Sequence, residues 1–227
     1  MRGDEIEGRA WRPVPSHGGG VLAAGEAAVT GSSATDDEGA CAGESGSRRS
    51  GILLDRDGTI IVDSGYVGSV DRVEFIAGAA EAIARFNQAG IPVAVVTNQA
   101  GVARGFYGLD DVSLVHDHIA KRLAEHGAQV DAFLYCPYHP EGVVEAFART
   151  SDDRKPNPGM ARAAAAKLHL DLTASWVVGD RPEDMGLAAA IGASAVYLGP
   201  EPQERPNTWS FPSLATAAPF ILERITT

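Results

Sequence analysis

The chain is poor in cysteine, with only Cys41 and Cys136 among its 227 residues. Two cysteines so far apart do not form the dense disulfide framework of a small secreted domain, and they suit a reducing compartment. The sequence also lacks any run of about 20 apolar residues, the length that a membrane-spanning helix needs. Its N-terminus lacks the apolar core of a signal peptide. These absences predict a cytoplasmic protein without a membrane partner.

Positive charge is also in short supply, since 19 Lys and Arg residues stand against 30 Asp and Glu residues and the formal net charge is −11. Nucleic acids and anionic membrane surfaces attract proteins largely through Lys and Arg, so the balance predicts neither as the main partner. A small phosphorylated molecule remains compatible, because a metal ion and a few local cations can form one basic pocket. We expect the protein to bind such a molecule and to act as a monomer.

Residues 1–50 lack a periodic pattern of apolar residues and are dominated by Gly, Ser, Ala and acidic residues. A segment of this kind cannot bury enough surface to offset the entropy lost on ordering. We therefore predict a disordered tail over residues 1–50 and a single folded domain over residues 51–227.

The folded part shows alternating strand and helix patterns. Strands are predicted at residues 51–54, 91–96, 130–135, 176–178 and 194–198, and helices at 78–89, 109–125, 158–168, 182–190 and 214–225. The alternation predicts an α/β fold in three layers, with a doubly wound parallel sheet in the middle. Only about 20 residues separate the first strand from the first helix, which is too few for a large cap domain.

Two carboxylates directly follow the first predicted strand. Asp55 and Asp57 are two residues apart, so strand geometry points both the same way, and Gly58 allows a sharp turn after them. Ligands of open α/β sheets bind at this carboxyl edge. Two close carboxylates repel each other unless they share a proton or a cation, and Mg²⁺ prefers oxygen ligands. The pair therefore predicts a Mg²⁺ site.

Other predicted strands bring further polar residues to the same edge. Thr97 and Asn98 follow the second strand, Asp180 follows the fourth, and Arg154 and Lys155 lie just before the third helix. Together with the first two aspartates they provide a nucleophile, an acid or base, a metal ligand, a hydroxyl donor and a cation. Phosphoryl transfer uses such a set, because its catalysis consists mainly of positioning and charge neutralisation.

These motifs carry a resemblance to a known family. They occupy residues 54–66, 96–105, 136–142, 154–160 and 178–181. In order and spacing they resemble the haloacid dehalogenase superfamily of aspartate-nucleophile phosphatases. Within it, the chain is similar to the capless D-glycero-D-manno-heptose 1,7-bisphosphate phosphatases and the related histidinol-phosphatase domains. The resemblance covers nearly all of residues 51–200 and implies a Rossmann-like phosphatase domain without a large cap.

The resemblance implies a role for each matching residue. Asp55 would attack phosphorus and form an aspartyl-phosphate, and Asp57 would protonate the leaving group and later deprotonate water. Thr97 and Lys155 would hold the transferring phosphoryl group. Mg²⁺ would be bound by Asp55, the main-chain carbonyl of Asp57 and Asp180. The implied substrate-binding residues are Asp63, Ser64, Gly65, Tyr66, Asn98, Gln99, Arg104, Arg154 and Arg181.

The sequence departs from the family in its long irregular stretch over residues 137–157. Relatives often carry a structural zinc there, but the four ligand positions are Cys136, Tyr138, Ser151 and Asp153 in this chain. Tetrahedral zinc sites favour four nitrogen or sulfur ligands, and only one thiolate remains. No structural zinc is therefore expected, and proline residues and side-chain packing are expected to hold the loop.

Two further residues have simpler interpretations. Asp184 lies at the start of a predicted helix, where an acidic side chain favours the helix dipole. His116 falls within a predicted helix and is expected to be a packing residue rather than a metal ligand.

The resemblance implies Mg²⁺-dependent hydrolysis of a small phosphorylated metabolite, first among them heptose 1,7-bisphosphate at its C7 phosphate. Histidinol phosphate is the alternative substrate on the same scaffold. A nucleic-acid 3′-phosphatase would need a basic groove, which the acidic composition does not favour. A non-enzymatic phospho-accepting receiver domain also places aspartates at a sheet edge, but it lacks the second aspartate that Asp57 provides here.

Overall fold

The computed structural model describes residues 48–199 and 205–225. The disordered tail expected over residues 1–50 therefore lies outside the described residues, except for its last three. Arg49 already belongs to the fold. Its main-chain N–H donates to the carbonyl of His169 at 3.1 Å, and its carbonyl accepts from the main chain of Asp171 at 2.9 Å. Regular pairing thus begins just before the first strand.

The described residues form a six-stranded sheet in which every pair of neighbouring strands is parallel. The strands are β1 (Ile52–Leu54), β2 (Val93–Asn98), β3 (Ala132–Cys136), β4 (Trp176–Gly179), β5 (Ser194–Leu198) and β6 (Thr208–Phe211). Their order across the sheet is β3-β2-β1-β4-β5-β6. The order reverses at β1, so the crevice for a ligand lies beyond the carboxyl end of this central strand.

Five helices cover the sheet: α1 (Ala79–Gln88), α2 (Leu109–Glu125), α3 (Gly159–Leu168), α4 (Pro182–Ile191) and α5 (Leu214–Ile225). One core cluster joins α1, α2 and α5 to one face, to which Ile52 and Leu54 of β1 contribute. A second cluster joins α3 and α4 to the other face through Leu53. Because successive residues of a strand point to opposite faces, a wholly apolar β1 is buried on both sides. The three-layer α/β prediction is confirmed.

The segments beside the carboxyl edge are short or irregular. Between β1 and α1 lies one 3₁₀ turn, Val70–Arg72, and between β3 and α3 lies another, Glu145–Phe147. No large cap domain is present in the described part of the chain, as predicted. In the same part, no helix is both long and apolar enough to cross a membrane. Because no cap domain is present there, only short or irregular segments lie beside the carboxyl edge of the sheet.

The sequence analysis did not predict β6, which pairs with β5 at one edge of the sheet. All four of its residues are only partly buried. Trp209 packs against Trp176 of β4, with ring centroids 5.2 Å apart, and against Phe220 of α5 at 5.3 Å. These partners are distant in sequence, so packing across the fold defines this strand more than its own four residues do.

Candidate active site

The carboxyl ends of β1, β2 and β4 surround a cleft of about 520 Å³. Most residues predicted for the site border it, and they are Asp55, Asp57, Asp63, Gly65, Tyr66, Thr97, Asn98, Gln99, Arg104, Arg154, Lys155 and Arg181. Asp180 lies beside it in the carboxylate cluster described below. Ser64 differs, because its carbonyl and its hydroxyl both accept hydrogen bonds from Arg72, away from the cleft lining.

Lys155 is a buried cation between two carboxylates. Its ammonium lies 2.8 Å from Oδ1 of Asp55 and 2.6 Å from Oδ1 of Asp184. Burial alone lowers the pKa of Lys155, but the charges of Asp184 and Asp55 outweigh it and the pKa is raised. The lysine therefore carries its charge, and it holds Asp55 by one oxygen.

The main chain of Lys155 is also fixed. Its N–H donates to Oδ1 of Asn98 at 3.0 Å, and its carbonyl accepts from Nδ2 of Asn98 at 3.1 Å. Asn98 is the last residue of β2, so this pair of bonds connects the long loop to the end of a buried strand. In this structure Asn98 holds Lys155 in place, a contact that the expectation of substrate binding did not include.

Asp184 does more than the sequence analysis expected. It does accept the main-chain N–H of Arg181 at 3.0 Å, which satisfies a donor at the start of α4. It is also 1% exposed, and its other oxygen pairs with Lys155. Burial raises the pKa of Asp184, against the opposing charge of Lys155. Both of its oxygens are thus engaged by protein groups.

Three carboxylates meet at the bottom of the cleft. Asp55, Asp180 and Asp184 each offer an oxygen, and these atoms all lie within 4.8 Å of one another. Oδ1 of Asp180 is buried and has no hydrogen-bond partner among the described residues. Burial, followed by the charge of Asp55, raises the pKa of Asp180 to about 6. The nearby cations are the buried Lys155 and the more exposed Arg181, whose Nε lies 3.6 Å from Oδ2 of Asp180. They leave the three carboxylates with an excess of negative charge, and the unpartnered Oδ1 of Asp180 fits a Mg²⁺ ligand.

Gly58 permits this arrangement. Its φ is +79°, in the left-handed region, and a Cβ at this position would lie 2.2 Å from Oδ2 of Asp180. A side chain here would meet both backbone strain and a direct clash. The turn that the sequence predicted after the two aspartates therefore needs glycine for two separate reasons.

Asp57 is bound by the buried side chain of Arg56. Nε and Nη2 of Arg56 donate to its two carboxylate oxygens at 3.1 and 3.0 Å. Burial raises the pKa of Asp57 by more than Arg56 lowers it, so the net shift is upward. The sequence analysis missed Arg56, which is fully buried. A signal was available, because an arginine in the buried run around β1 must find an anionic partner.

Gln99 borders the cleft, and protein groups bind both the nitrogen and the oxygen of its amide. It is 1% exposed, and its amide nitrogen donates to Oγ1 of Thr97 at 2.8 Å and to Oδ2 of Asp57 at 3.0 Å. Its amide oxygen accepts from Arg56 at 3.0 Å and from the hydroxyl of Tyr107 at 2.8 Å. Two donors and two acceptor positions complete an amide. A contact between Gln99 and the substrate stays a prediction.

The rim of the cleft carries positive side chains on both sides. On one side Arg181 forms an ion pair with Asp63, whose other oxygen accepts the main-chain N–H of Gly65 at 2.9 Å. On the other side Nη2 of Arg104 lies 3.4 Å from Nε2 of His139. The pKa of His139 is lowered by burial and by the charges of Arg154 and Arg104. Acidic side chains accompany these arginines, since Arg104 also lies 3.8 Å from a carboxylate oxygen of Glu141.

The long loop keeps its shape through local contacts at the positions compared with zinc ligands. The thiol of Cys136 lies 3.8 Å from the carbonyl of Tyr138, and burial raises the pKa of this thiol. The ring of Tyr138 packs 5.9 Å from that of Phe147 and carries the guanidinium of Arg149 at 4.1 Å. Ring packing and a cation–π contact therefore shape the loop. The absence of a structural zinc stays a prediction.

Comparison with known proteins places this geometry in a family. A family model described as HAD-hydrolase-like matches residues 153–200. The D-glycero-beta-D-manno-heptose-1,7-bisphosphate 7-phosphatase of Escherichia coli strain K12 is 41% identical over 170 residues, 72% of this chain and 89% of the relative. The protein of that name from Yersinia pestis is 39% identical, over 72% of this chain and 90% of its own length.

Solved structures agree with the sequence comparison. The D,D-heptose 1,7-bisphosphate phosphatase of B. bronchiseptica, complexed with magnesium and phosphate, matches with a TM-score of 0.67 and 33% identity. The match covers 77% of this chain and 98% of that one. The corresponding enzyme of Burkholderia thailandensis has a TM-score of 0.55 and 26% identity, over 77% and 99% of the two chains. This chain belongs to the haloacid dehalogenase-like phosphatases, in the family of the D-glycero-beta-D-manno-heptose-1,7-bisphosphate 7-phosphatases.

Proposed function

We propose that this protein is a Mg²⁺-dependent phosphatase that removes the C7 phosphate of D-glycero-D-manno-heptose 1,7-bisphosphate and leaves the 1-phosphate. The main support for the proposal is the ion pair between the buried Lys155 and Asp55. Asp55 belongs to the carboxylate cluster at the carboxyl edge of the sheet. The named activity of relatives about 40% identical supports the substrate. We place the enzyme in the cytoplasm, as a monomer.

The first half of the reaction is carried by Asp55. Because Lys155 binds Oδ1, the second carboxylate oxygen is left for attack on phosphorus. A bond forms between that oxygen and phosphorus, and the bond between phosphorus and the C7 oxygen breaks. Lys155 and Thr97 bind the phosphoryl oxygens on which charge accumulates. The product of this half is an aspartyl-phosphate.

Asp57 acts first as the general acid and then as the general base. In the first half it protonates the leaving C7 oxygen, and in the second it takes a proton from the water that attacks the aspartyl-phosphate. Its raised pKa suits a group that must be protonated before the first step. Free phosphate and regenerated Asp55 result.

Mg²⁺ would be held by Asp55, the main-chain carbonyl of Asp57 and Asp180. The buried, unpartnered Oδ1 of Asp180 supports this assignment, whereas both oxygens of Asp184 serve other groups. The ion supplies positive charge that neutralises the phosphoryl oxygens during transfer.

Arg104, Arg154 and Arg181 would bind the rest of the substrate. A second phosphate on the sugar is anionic and suits arginine, which presents several donors in a planar fork. Histidinol phosphate instead carries a cationic amine beyond its phosphate, so a rim of arginines favours the sugar bisphosphate.

The test is a panel of substrates assayed with Mg²⁺ for phosphate release. It compares heptose 1,7-bisphosphate with histidinol phosphate and simple sugar phosphates, and ³¹P NMR identifies which phosphate is lost. We expect the highest kcat/KM for the heptose bisphosphate and loss of its C7 phosphate. Highest activity on histidinol phosphate would overturn the substrate assignment. Full activity of the Asp55→Asn variant would overturn the mechanism.

A further inference from the structure

The amide of Gln99 connects two residues assigned to the reaction, Asp57 and Thr97. We propose that Gln99 is a positioning residue that orients the carboxylate of Asp57 and the hydroxyl of Thr97 together, and that Arg56 and Tyr107 lock the amide for this task. The inference rests on the proposed function, because it assumes that Asp57 and Thr97 act on the phosphoryl group. Its argument begins with the direction of the amide.

The chemistry of its partners fixes the orientation of the amide. A guanidinium can only donate hydrogen bonds, so the Gln99 atom 3.0 Å from Nη2 of Arg56 must be the oxygen. The hydroxyl of Tyr107 donates to the same oxygen at 2.8 Å. The nitrogen must then face Asp57 and Thr97. A flipped amide would set nitrogen against guanidinium and oxygen against carboxylate, with the loss of these bonds.

The amide determines where the proton of Thr97 points. Oγ1 of Thr97 accepts from the amide nitrogen at 2.8 Å, and it makes no other hydrogen bond within residues 48–199 and 205–225. Because an amide N–H can only donate, the hydroxyl proton of Thr97 is free for another acceptor. Thr97 borders the cleft, so a phosphoryl oxygen bound there would receive that proton.

The carboxylate of Asp57 is held in one orientation by the same network. Gln99 and Nε of Arg56 share its Oδ2, and Nη2 of Arg56 binds its Oδ1. A side chain held by three hydrogen bonds from two buried partners does not rotate freely among its rotamers. A general acid acts well only when its proton lies in line with the leaving oxygen.

The fold makes room for Tyr107. A Cβ at Gly68 would lie 2.0 Å from the Tyr107 ring, and one at Gly101 would lie 2.3 Å from it. The ring therefore occupies a slot between two segments of main chain that only glycine leaves open. This slot positions the ring so that the hydroxyl of Tyr107 reaches the amide oxygen of Gln99.

The test uses Gln99→Met, which keeps the length of the side chain and removes its hydrogen bonds. Its kcat/KM is measured with the heptose bisphosphate and with 4-nitrophenyl phosphate, whose leaving group departs without a proton. kcat/KM reports steps up to departure of the leaving group, so it isolates acid catalysis from the later hydrolysis. We expect a loss of roughly 10–10²-fold for the sugar and of only a few-fold for the aryl ester.

A double-mutant cycle shows whether Gln99 acts through Asp57. The sugar-to-aryl ratio of kcat/KM should be no lower in Asp57→Asn/Gln99→Met than in Asp57→Asn alone, because the acid is already absent. Ser175→Ala is the matched control. Ser175 is a buried hydrogen-bonding residue that accepts from Gly51 at the opposite end of the sheet. It should lower Tm without changing the ratio.

Each outcome is decisive. Equal losses for both substrates in Gln99→Met would overturn the orientation of Asp57 and retain that of Thr97, which holds the phosphoryl group of either substrate. An unchanged kcat/KM for both substrates, or a ratio that Ser175→Ala changes equally, would overturn the inference. If Gln99→Met does not fold, Tyr107→Phe removes one bond to the amide and should shift the ratio in the same direction by a few-fold, and an unchanged ratio would overturn the inference. If Asp57→Asn itself leaves the ratio unchanged, the proposed acid is wrong, which is a different failure.

Discussion

Lys155 determines the charge balance at the bottom of the cleft. It is 3% exposed and pairs with two buried carboxylates, so its removal would leave both without a counter-charge. Breaking a buried ion pair from one side costs about 3–5 kcal/mol. In metal-free buffer, Lys155→Met should therefore lower the free energy of unfolding by about that amount. In the assay with Mg²⁺, the same variant should have no detectable phosphatase activity.

Urea unfolding and phosphate release measure the two effects of Lys155→Met. Lys167→Met is the control, since Lys167 is exposed on α3 and should change neither quantity. A Lys155→Met variant as stable as the wild type would show that the carboxylates do not depend on this ammonium.

His116 should make the fold sensitive to acid. It is buried against the ring of Phe133, with centroids 4.8 Å apart, and burial lowers its pKa to about 3. The unfolded chain takes up a proton at this residue below its ordinary pKa of about 6.5, and the folded chain does not. Stability is therefore lost as the pH falls from about 6.5 toward 3, by about 1.4 kcal/mol per pH unit. Above this window His116 contributes nothing to the pH dependence.

Replacing this histidine should remove that contribution. In His116→Leu, the free energy of unfolding should fall less steeply than in the wild type between pH 6 and 4, by about one proton. Denaturant unfolding at a series of pH values measures the slope. Identical slopes would contradict a neutral, buried His116.

The sequence predicted acidic residues at the carboxyl edge because Asp55 and Asp180 directly follow strands and Asp57 lies two residues after Asp55. The structure places Asp55 and Asp57 at the cleft and Asp180 beside it, and their roles stay predictions. The hydrogen bond between Arg56 and Gln99 was not predicted, because sheet pairing brings the ends of β1 and β2 together but does not determine which way a side chain beyond each end turns. Sequence position predicts which edge a residue reaches, but not which neighbour its side chain binds.

At the level of elements, helices were easier to predict than the edge of the sheet. The predicted bounds of α2 and α5 match the structure, because each helix has a long apolar stripe that ends at a clear boundary. β6 has four residues and no buried face of its own. Its position depends on Trp176 and Phe220, which the local sequence does not contain.

This dependence predicts the effect of removing the Trp209 ring. Trp209→Ala should lower the free energy of unfolding by about 2–3 kcal/mol, somewhat less than a fully buried aromatic residue, because the side chain is only partly buried. kcat/KM should stay near the wild-type value, since β6 contributes no residue to the cleft. Urea unfolding and phosphate release test both parts.

Leu114→Ala is the control for Trp209→Ala, because Leu114 is 58% exposed and should change stability little. A large loss of activity in Trp209→Ala without a loss of stability would contradict a purely structural role for β6.

At the level of the whole molecule, the hydrogen bonds of Arg49 predict where the N-terminal boundary of the domain lies. Deleting residues 1–47 should leave Tm and kcat/KM unchanged, because Arg49 and its two hydrogen bonds to the 169–171 segment are retained. Deleting residues 1–50 removes these bonds and should lower Tm by several degrees. Calorimetry and the phosphatase assay on the two truncated chains measure the difference. Lost activity in the shorter deletion would assign the first 47 residues a role in the enzyme.

A fully occupied amide also constrains how this enzyme can evolve. A lysine in place of Arg56 could not supply the same set of planar donors. The amide oxygen of Gln99 would lose a hydrogen-bond donor, and Asp57 would lose the pair of hydrogen bonds from the guanidinium. Substitutions at positions 56, 57, 97, 99 and 107 should then appear in diverging lineages as linked sets rather than singly. Homologues that keep both aspartates but have lost this set would be the first candidates for a scaffold that has drifted away from hydrolysis.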